Sequence, residues 1–216
     1  LDEMLSYAAP AFGKFKNREG RDTWNFWRTD TVQKFPYGTL LGLLNKDYAL
    51  PDDMDDTVLS LMAQNADSTT AAAVHKLMQS YTNNGKNKFR NIISELGIYP
   101  AYSTWFGKKF PVVFDVSVLC NVLNFAEQYH LTWTNADSAS LAVIIYSVVN
   151  DHHITQPLFV SPYYGKTSLI LYHIARLMHN RHIPELEKIK TKLVTDAATE
   201  LALTKNKMEQ ILLSTA

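Results

Sequence analysis

The sequence predicts an all-α protein made of α-hairpins set in a curved or closed array, and three observations predict it. Apolar residues recur at helical spacing from about residue 50 onward, as Val74, Leu77, Met78 and Tyr81 do at i, i+3, i+4 and i+7. Helix start signals recur at Asp52, Ser68, Asp115, Asp137, Lys166 and Pro184, unevenly spaced and with no strict sequence repeat. Only "GIYPAYSTWFGKKFPVVF", residues 97–114, has another texture. It is aromatic and broken by Pro100, Gly107 and Pro111, as a long loop or a short hairpin would be.

The elements follow in order. The segment 1–49 is irregular and aromatic, "RDTWNFWRTDTVQKFPYGTLLG" above all. "DDTVLSLMAQ" then leads into "DSTTAAAVHKLMQSY", which Asn83, Asn84 and Gly85 terminate. Asp115 opens "DVSVLCNVLNFAEQYH", apolar on nearly every side and therefore an interior helix. Asp137 is expected to cap "SASLAVIIYSVVN", and "YGKTSLILYHIARLMH" follows a loop. Pro184 sits at the first turn of "PELEKIKTKLVTDAATELA", whose charge marks an outer helix. With 216 residues, the chain holds one substantial core, so residues 1–216 form a single domain. Both ends run in helical patterns, so the chain is expected to belong to something longer.

Charge and cysteine usage narrow the function classes. Lys and Arg number 21 against 21 Asp and Glu, which gives nucleic acid or an anionic membrane surface no footprint. Cys120 is the single cysteine, so no internal disulfide or cysteine-rich metal site exists, and its apolar run makes it a buried, inert thiol. No apolar run is long enough to span a bilayer, and the N-terminus lacks the regions of a signal peptide; the compartment stays open.

The stretch "LPDDMDDTVLSLMAQ", residues 50–64, sets four carboxylates in five positions ahead of an apolar run. With Pro51 in the first turn, Met54, Val58, Leu61 and Met62 share the buried stripe. Asp55 lies at its edge, while Asp52, Asp53 and Asp56 point toward water. Asp55 is thus the carboxyl expected to turn inward with a raised pKa, a general acid whose tuning falls to Asp53 and Asp56. The helix N-terminus opposes that by roughly 0.3–1 kcal/mol. A solvated, acidic helix start is the plainer reading of the same residues.

Asp53-Met54-Asp55-Asp56 with Thr57 resembles the DxDD(T) motif of class II terpene cyclases, in which the middle aspartate protonates a double bond or an epoxide. The resemblance implies an α/α toroid, complete or partial, of the terpenoid cyclase and protein prenyltransferase superfamily, with inner-helix ends around an apolar cavity. "FDVSVLCNVLNFAEQYH" looks like an inner-helix segment of that superfamily, and "PYYGKTSLILYHIARLMH" resembles a segment of its bacterial members without assigned activity. The stretch also satisfies DDxxD as Asp52-Asp53-Met54-Asp55-Asp56, which in class I terpene synthases binds magnesium and a diphosphate. The Gln-and-Trp repeat of triterpene cyclases is absent, as is a second class I metal motif.

Loop aromatics, among them Trp24, Phe26, Trp27, Trp105, Tyr163 and Tyr164, could line a pocket above the acid for a small apolar or sugar-like ligand. Asp52, Asp115, Asn121, Asn124 and Lys166 supply the polar groups for the same opening. A carbohydrate-active α/α-barrel would need Asp115 as its second carboxylate. A non-catalytic scaffold or ligand-binding module would use the acidic stretch for capping alone. Asp151, His152 and His153 read as a helix end with exposed imidazoles, and His179 and His182 have no acidic partner, so no metal site is expected apart from magnesium at a DDxxD site.

Overall fold

Asp115 starts the helix around which the other elements pack. In the computed structural model, which describes residues 10–30 and 50–216, its carboxylate accepts from the backbone N–H groups of Ser117 and Val118 at 2.9 and 3.2 Å. That cap launches α3 (Val116–Gln128), which is buried at every residue from Val116 to Ala126. So apolar a helix has no solvent face, and it packs on α1 (Met54–Ala63), α4 (Asn135–Val149) and α7 (Thr167–Asn180). From residue 50 onward the other α-helices are α2 (Ser68–Met78), the single turns α5 (His152–Thr155), α6 (Pro157–Val160) and α8 (Pro184–Glu187), α9 (Lys190–Leu203) and α10 (Lys207–Thr215), with short 3-10 turns at Gln79–Tyr81 and Ser94–Ile98. Helix α10 lies against α7 and α9. The protein is all-α: among the described residues the only β pairing is a few isolated bridges. None of the helices is long and apolar enough to cross a membrane, among the described residues.

Several boundaries differ from the sequence expectation. Asp53, not Asp52, caps α1, accepting from Asp56 N–H at 2.7 Å, and Pro51 lies ahead of the helix rather than in its first turn. Thr134 caps α4, and Asp137 is the third residue of a capping box, with Thr134 N–H and Oγ1 both donating to it at 2.7 Å. The helix expected from Pro184 onward is two, α8 and α9, broken at Lys188 and Ile189. Leu186, Ile189 and Leu193 stay buried across the break, so the helical spacing survives and conceals it. His153 is buried rather than exposed, with Nε2 2.9 Å from Asp196. Asp151 just before it takes a positive φ of 58°, which turns the chain and carries His153 inward.

The segment 97–114 folds back on itself without forming strands: Thr104 N–H reaches Val113 O at 2.8 Å, and Val112 N–H reaches Lys88 O at 2.9 Å. The irregular N-terminal texture can be followed over 10–30; residues 1–9 and 31–49 lie outside the described residues.

A buried polar knot ties α2 to α4. His75 Nε2 lies 3.0 and 3.1 Å from the two Asp137 oxygens, and the Tyr102 hydroxyl lies 3.2 Å from the same nitrogen. Burial pushes the Asp137 carboxyl up, but hydrogen bonds from His75 and Thr134 outweigh it and hold the group below its ordinary value. A depressed folded-state pKa stabilises above the unfolded value, and that contribution is lost as pH falls through the carboxylate range. Asp137→Asn should therefore cost about 3 kcal/mol in denaturant unfolding at neutral pH, with the gap to wild type closing as the medium is acidified below pH about 4. An equal gap at both ends of that range would contradict the assignment.

Candidate active cleft at the start of helix α1

The start of α1 is held between two extended segments. Asp53 N–H donates to Trp24 O at 3.0 Å on one side; on the other, Met54 N–H donates to Thr104 O and Phe106 N–H to Asp52 O, each at 2.8 Å. Trp24 N–H also reaches Thr57 Oγ1 at 2.9 Å. Residues 52–54 are thus fixed by backbone bonds before their own side chains are considered.

The expectation that Asp52 and Asp53 stay wet fails. Asp52, Asp53 and Asp55 are 6%, 4% and 7% exposed, alike in burial, and only Asp56 is intermediate. The clamp explains it, because segments 23–25 and 103–106 cover the flanks that an isolated helix would leave in water. Each carboxyl then does a different job. Asp52 turns away from the cleft and accepts from Asn17 Nδ2 and Thr23 Oγ1, both at 2.6 Å, with Arg21 at 4.0 Å. Asp55 is held on both oxygens, by Asn121 Nδ2 at 2.6 Å and by the Tyr164 hydroxyl. Arg176 donates to the carbonyl of Asn121, fixing which way that amide faces. Asp53 caps the helix, and Asp56 Oδ2 is buried with no hydrogen-bond partner.

A cavity of about 390 Å³ opens beside Asp53, Asp55 and Asp56. Its walls are aromatic: Phe26, Trp27, Trp105, Tyr163 and Tyr164, with Leu50, Thr104 and Val118 completing the lining. Phe26 and Trp27 form an edge-to-face pair at 5.1 Å and are 60% and 49% exposed, which places them at the rim. Trp105 is buried, donates from Nε1 to the Tyr163 hydroxyl at 2.8 Å, and meets that ring edge-on at 5.5 Å. Tyr164 packs on His173 of α7 at 4.8 Å. At neighbouring Gly165 an added Cβ would run into the Leu158 side chain, so a residue larger than Gly there requires one of the two to shift.

The acid-base character centres on Asp53. Burial pushes its carboxyl well above the ordinary range, and the charges of Asp56 and Asp55 push the same way. Asp56 is raised too, by burial first and by Asp55. Two carboxyls that close, with one oxygen lacking any donor, favour a proton shared between them.

The remaining candidates lie off the cleft. Asp115 is wholly buried beneath it, accepting from Ser161 Oγ at 2.6 Å and Tyr163 N–H at 2.8 Å besides its two cap bonds. It therefore fixes the aromatic loop and is no second carboxylate across the cavity. Asn121 acts behind the wall through Asp55, and Lys166 pairs with Glu209 at 2.7 Å. The DDxxD reading needs Asp52, Asp53 and Asp56 to converge, yet Asp52 turns away from the other two to Asn17 and Thr23. Among the described residues no three His, Cys, Asp or Glu side chains come close enough to share a metal ion. Arg176 escaped the sequence reading, although one cation inside the apolar run "LILYHIARLMH" was the signal that could have found it.

Burial raises the Asp115 pKa to about 6, against hydrogen bonds from Ser161, Tyr163 and Val118 that lower it. A raised folded-state pKa means that the fold loses stability as pH climbs from the ordinary carboxylate value through 6. Asp115→Asn, which can still cap, should remove a pH-dependent loss of about 3 kcal/mol from unfolding curves followed between pH about 4 and about 7. Parallel curves for the two proteins would refute this.

No protein-family model, no curated protein and no solved structure matches the chain.

Proposed function

We propose that this cleft is a small-molecule site in which the Asp53–Asp56 pair supplies a proton to a ligand held between aromatic walls. The observation that carries the proposal is a buried carboxyl of raised pKa on the wall of an aromatic cavity of ligand size. The reaction class follows the resemblance to class II terpene cyclases: acid-initiated chemistry on an apolar, isoprenoid-type chain. The arrangement of the elements supports it, since the starts of α1 and α3 and the loop entering α7 all reach this cleft, as inner-helix ends do in an α/α toroid. Geometry favours Asp53 over Asp55 as the donor. Asp55 has both oxygens occupied by donors and anchors Tyr164, whereas Asp53 has an adjacent carboxyl with which to share a proton.

The alternative is a ligand-binding module without chemistry, favoured by how completely Asp52 and Asp115 are spent on structure. A short isoprenoid epoxide separates the two, with ring opening followed by gas chromatography and binding by tryptophan fluorescence. Asn can replace Asp as a helix cap, so Asp53→Asn should keep the fold and bind the epoxide within about twofold of wild type. Its turnover should fall roughly 100-fold or more. Trp105→Ala should instead weaken binding. Loss of turnover in Asp55→Asn with Asp53→Asn unaffected would return the acid role to Asp55. Binding without conversion by the wild type would leave the module reading standing.

A further inference from the structure

A groove of about 610 Å³ runs between α7, α9 and α10, lined by residues that the cleft at α1 does not use. That volume falls in the range of about 300–1,000 Å³ typical of small-molecule sites. Its walls are apolar stripes at helical spacing: Leu171, Ala175 and Met178 on α7, and Leu193, Ala197 and Leu201 on α9. Leucines in place of Ala175, Ala197 and Ala198 would fill the space between the helices, and the alanines leave it open. Val194 also lines the groove and is 62% exposed, so apolar surface there lies uncovered.

The charge in the groove is all of one sign. Among the described lining residues there is no Asp or Glu, and only His179 and Lys190 can be cationic. His179 lies in the last turn of α7 and Lys190 opens α9, the two helix ends that residues 181–189 join, so both stand at one end of the groove. Lys190 pairs with Glu187 at 3.5 Å, but both side chains are exposed, so that pair is weak and leaves the ammonium open to another anion. From Lys190 to Leu201 the wall is about 16 Å long at 1.5 Å per residue, the length of an extended chain of about twelve carbons.

We infer that this groove binds a free single-chain carboxylic acid, its hydrocarbon tail lying along α7 and α9 and its carboxylate held by Lys190 and His179. Burying the tail removes the uncovered apolar surface from water, and the head meets the two cations at one end. The cleft at α1 would reject the same ligand, because Asp53, Asp55 and Asp56 line it. The inference is therefore independent of the function proposed for that cleft.

Calorimetric titration of the full chain with dodecanoate and with dodecyltrimethylammonium, each below its micellar concentration at neutral pH and low salt, tests it. The two probes share a tail and differ in the sign of the head. Dodecanoate should bind at least about tenfold tighter. Lys190→Glu, at an exposed position, should abolish that preference. Ala197→Phe fills the groove and should weaken dodecanoate at least about tenfold. Should that variant lower the melting temperature, Ala198→Phe, at an exposed lining position, replaces it with the same expectation. Trp105→Ala, in the cleft at α1, should leave dodecanoate affinity within about twofold of wild type. Equal affinity for the two probes would overturn the inference, as would dodecanoate binding that survives Lys190→Glu and the filling variant or is lost in Trp105→Ala. Absence of dodecanoate binding overturns it too; light scattering that then shows a dimer, dissociated by the filling variant, would assign the groove to a second copy of the chain.

Discussion

The backbone clamp on the start of α1 is the constraint on which the site depends. Asp53 lies between Trp24 and Trp105 in two isolated antiparallel bridges, so three distant parts of the chain meet at one residue. Nothing in a helical fold requires extended segments to cross the end of a helix. Here they do, and two consequences follow. Acidic side chains that a free helix start would hold in water become buried, and the aromatic loop 103–106 is brought to the same place as the acids. The cleft exists because the clamp holds its floor and one wall in register.

Burying three carboxyls within one turn has a cost that each must offset separately. Asp52 does so with Asn17, Thr23 and the nearby Arg21, and in doing so fastens the N-terminal segment to the helix. Asp55 does so with Asn121 and Tyr164, fastening α1 to α3 and to the loop before α7. Asp53 is offset only in part, by one backbone N–H from Asp56, and it is this carboxyl that is pushed upward. The clustering that seems wasteful along the sequence is a division of labour. Two acids hold segments together, and the least compensated pair faces the cavity.

The all-α class was legible because apolar spacing is a property of each segment alone. Residues 116–126 announced an interior helix by having no polar face, and they are buried throughout. The four-acid stretch stood out as a candidate site for a similar reason: so dense a cluster beside an apolar run needs an explanation. Its internal geometry was not legible. The helical count that singled out Asp55 assumed solvent on the far side, where residues 23–25 and 103–106 in fact lie. Asp115 was read as a helix start and is one, but its second role as anchor of Tyr163 depends on a contact 48 positions away in the chain. His153 and the break at Lys188 and Ile189 were hidden by backbone turns that leave side-chain spacing intact.

Asn121 and Arg176 show how a polar residue inside an apolar helix can be informative. Each is expensive to bury alone, and each is justified by the other. The guanidinium can only donate, so it takes the amide carbonyl; the amide NH₂ is then obliged to face Asp55, which can accept it. That leaves the second Asp55 oxygen for the Tyr164 hydroxyl, and the Tyr164 ring becomes a wall of the cavity. The direction of donation runs one way along this chain, from α7 through α3 to α1. Asp55 is fixed as its terminal acceptor, and the neighbouring Asp53–Asp56 pair has no such donor from another element.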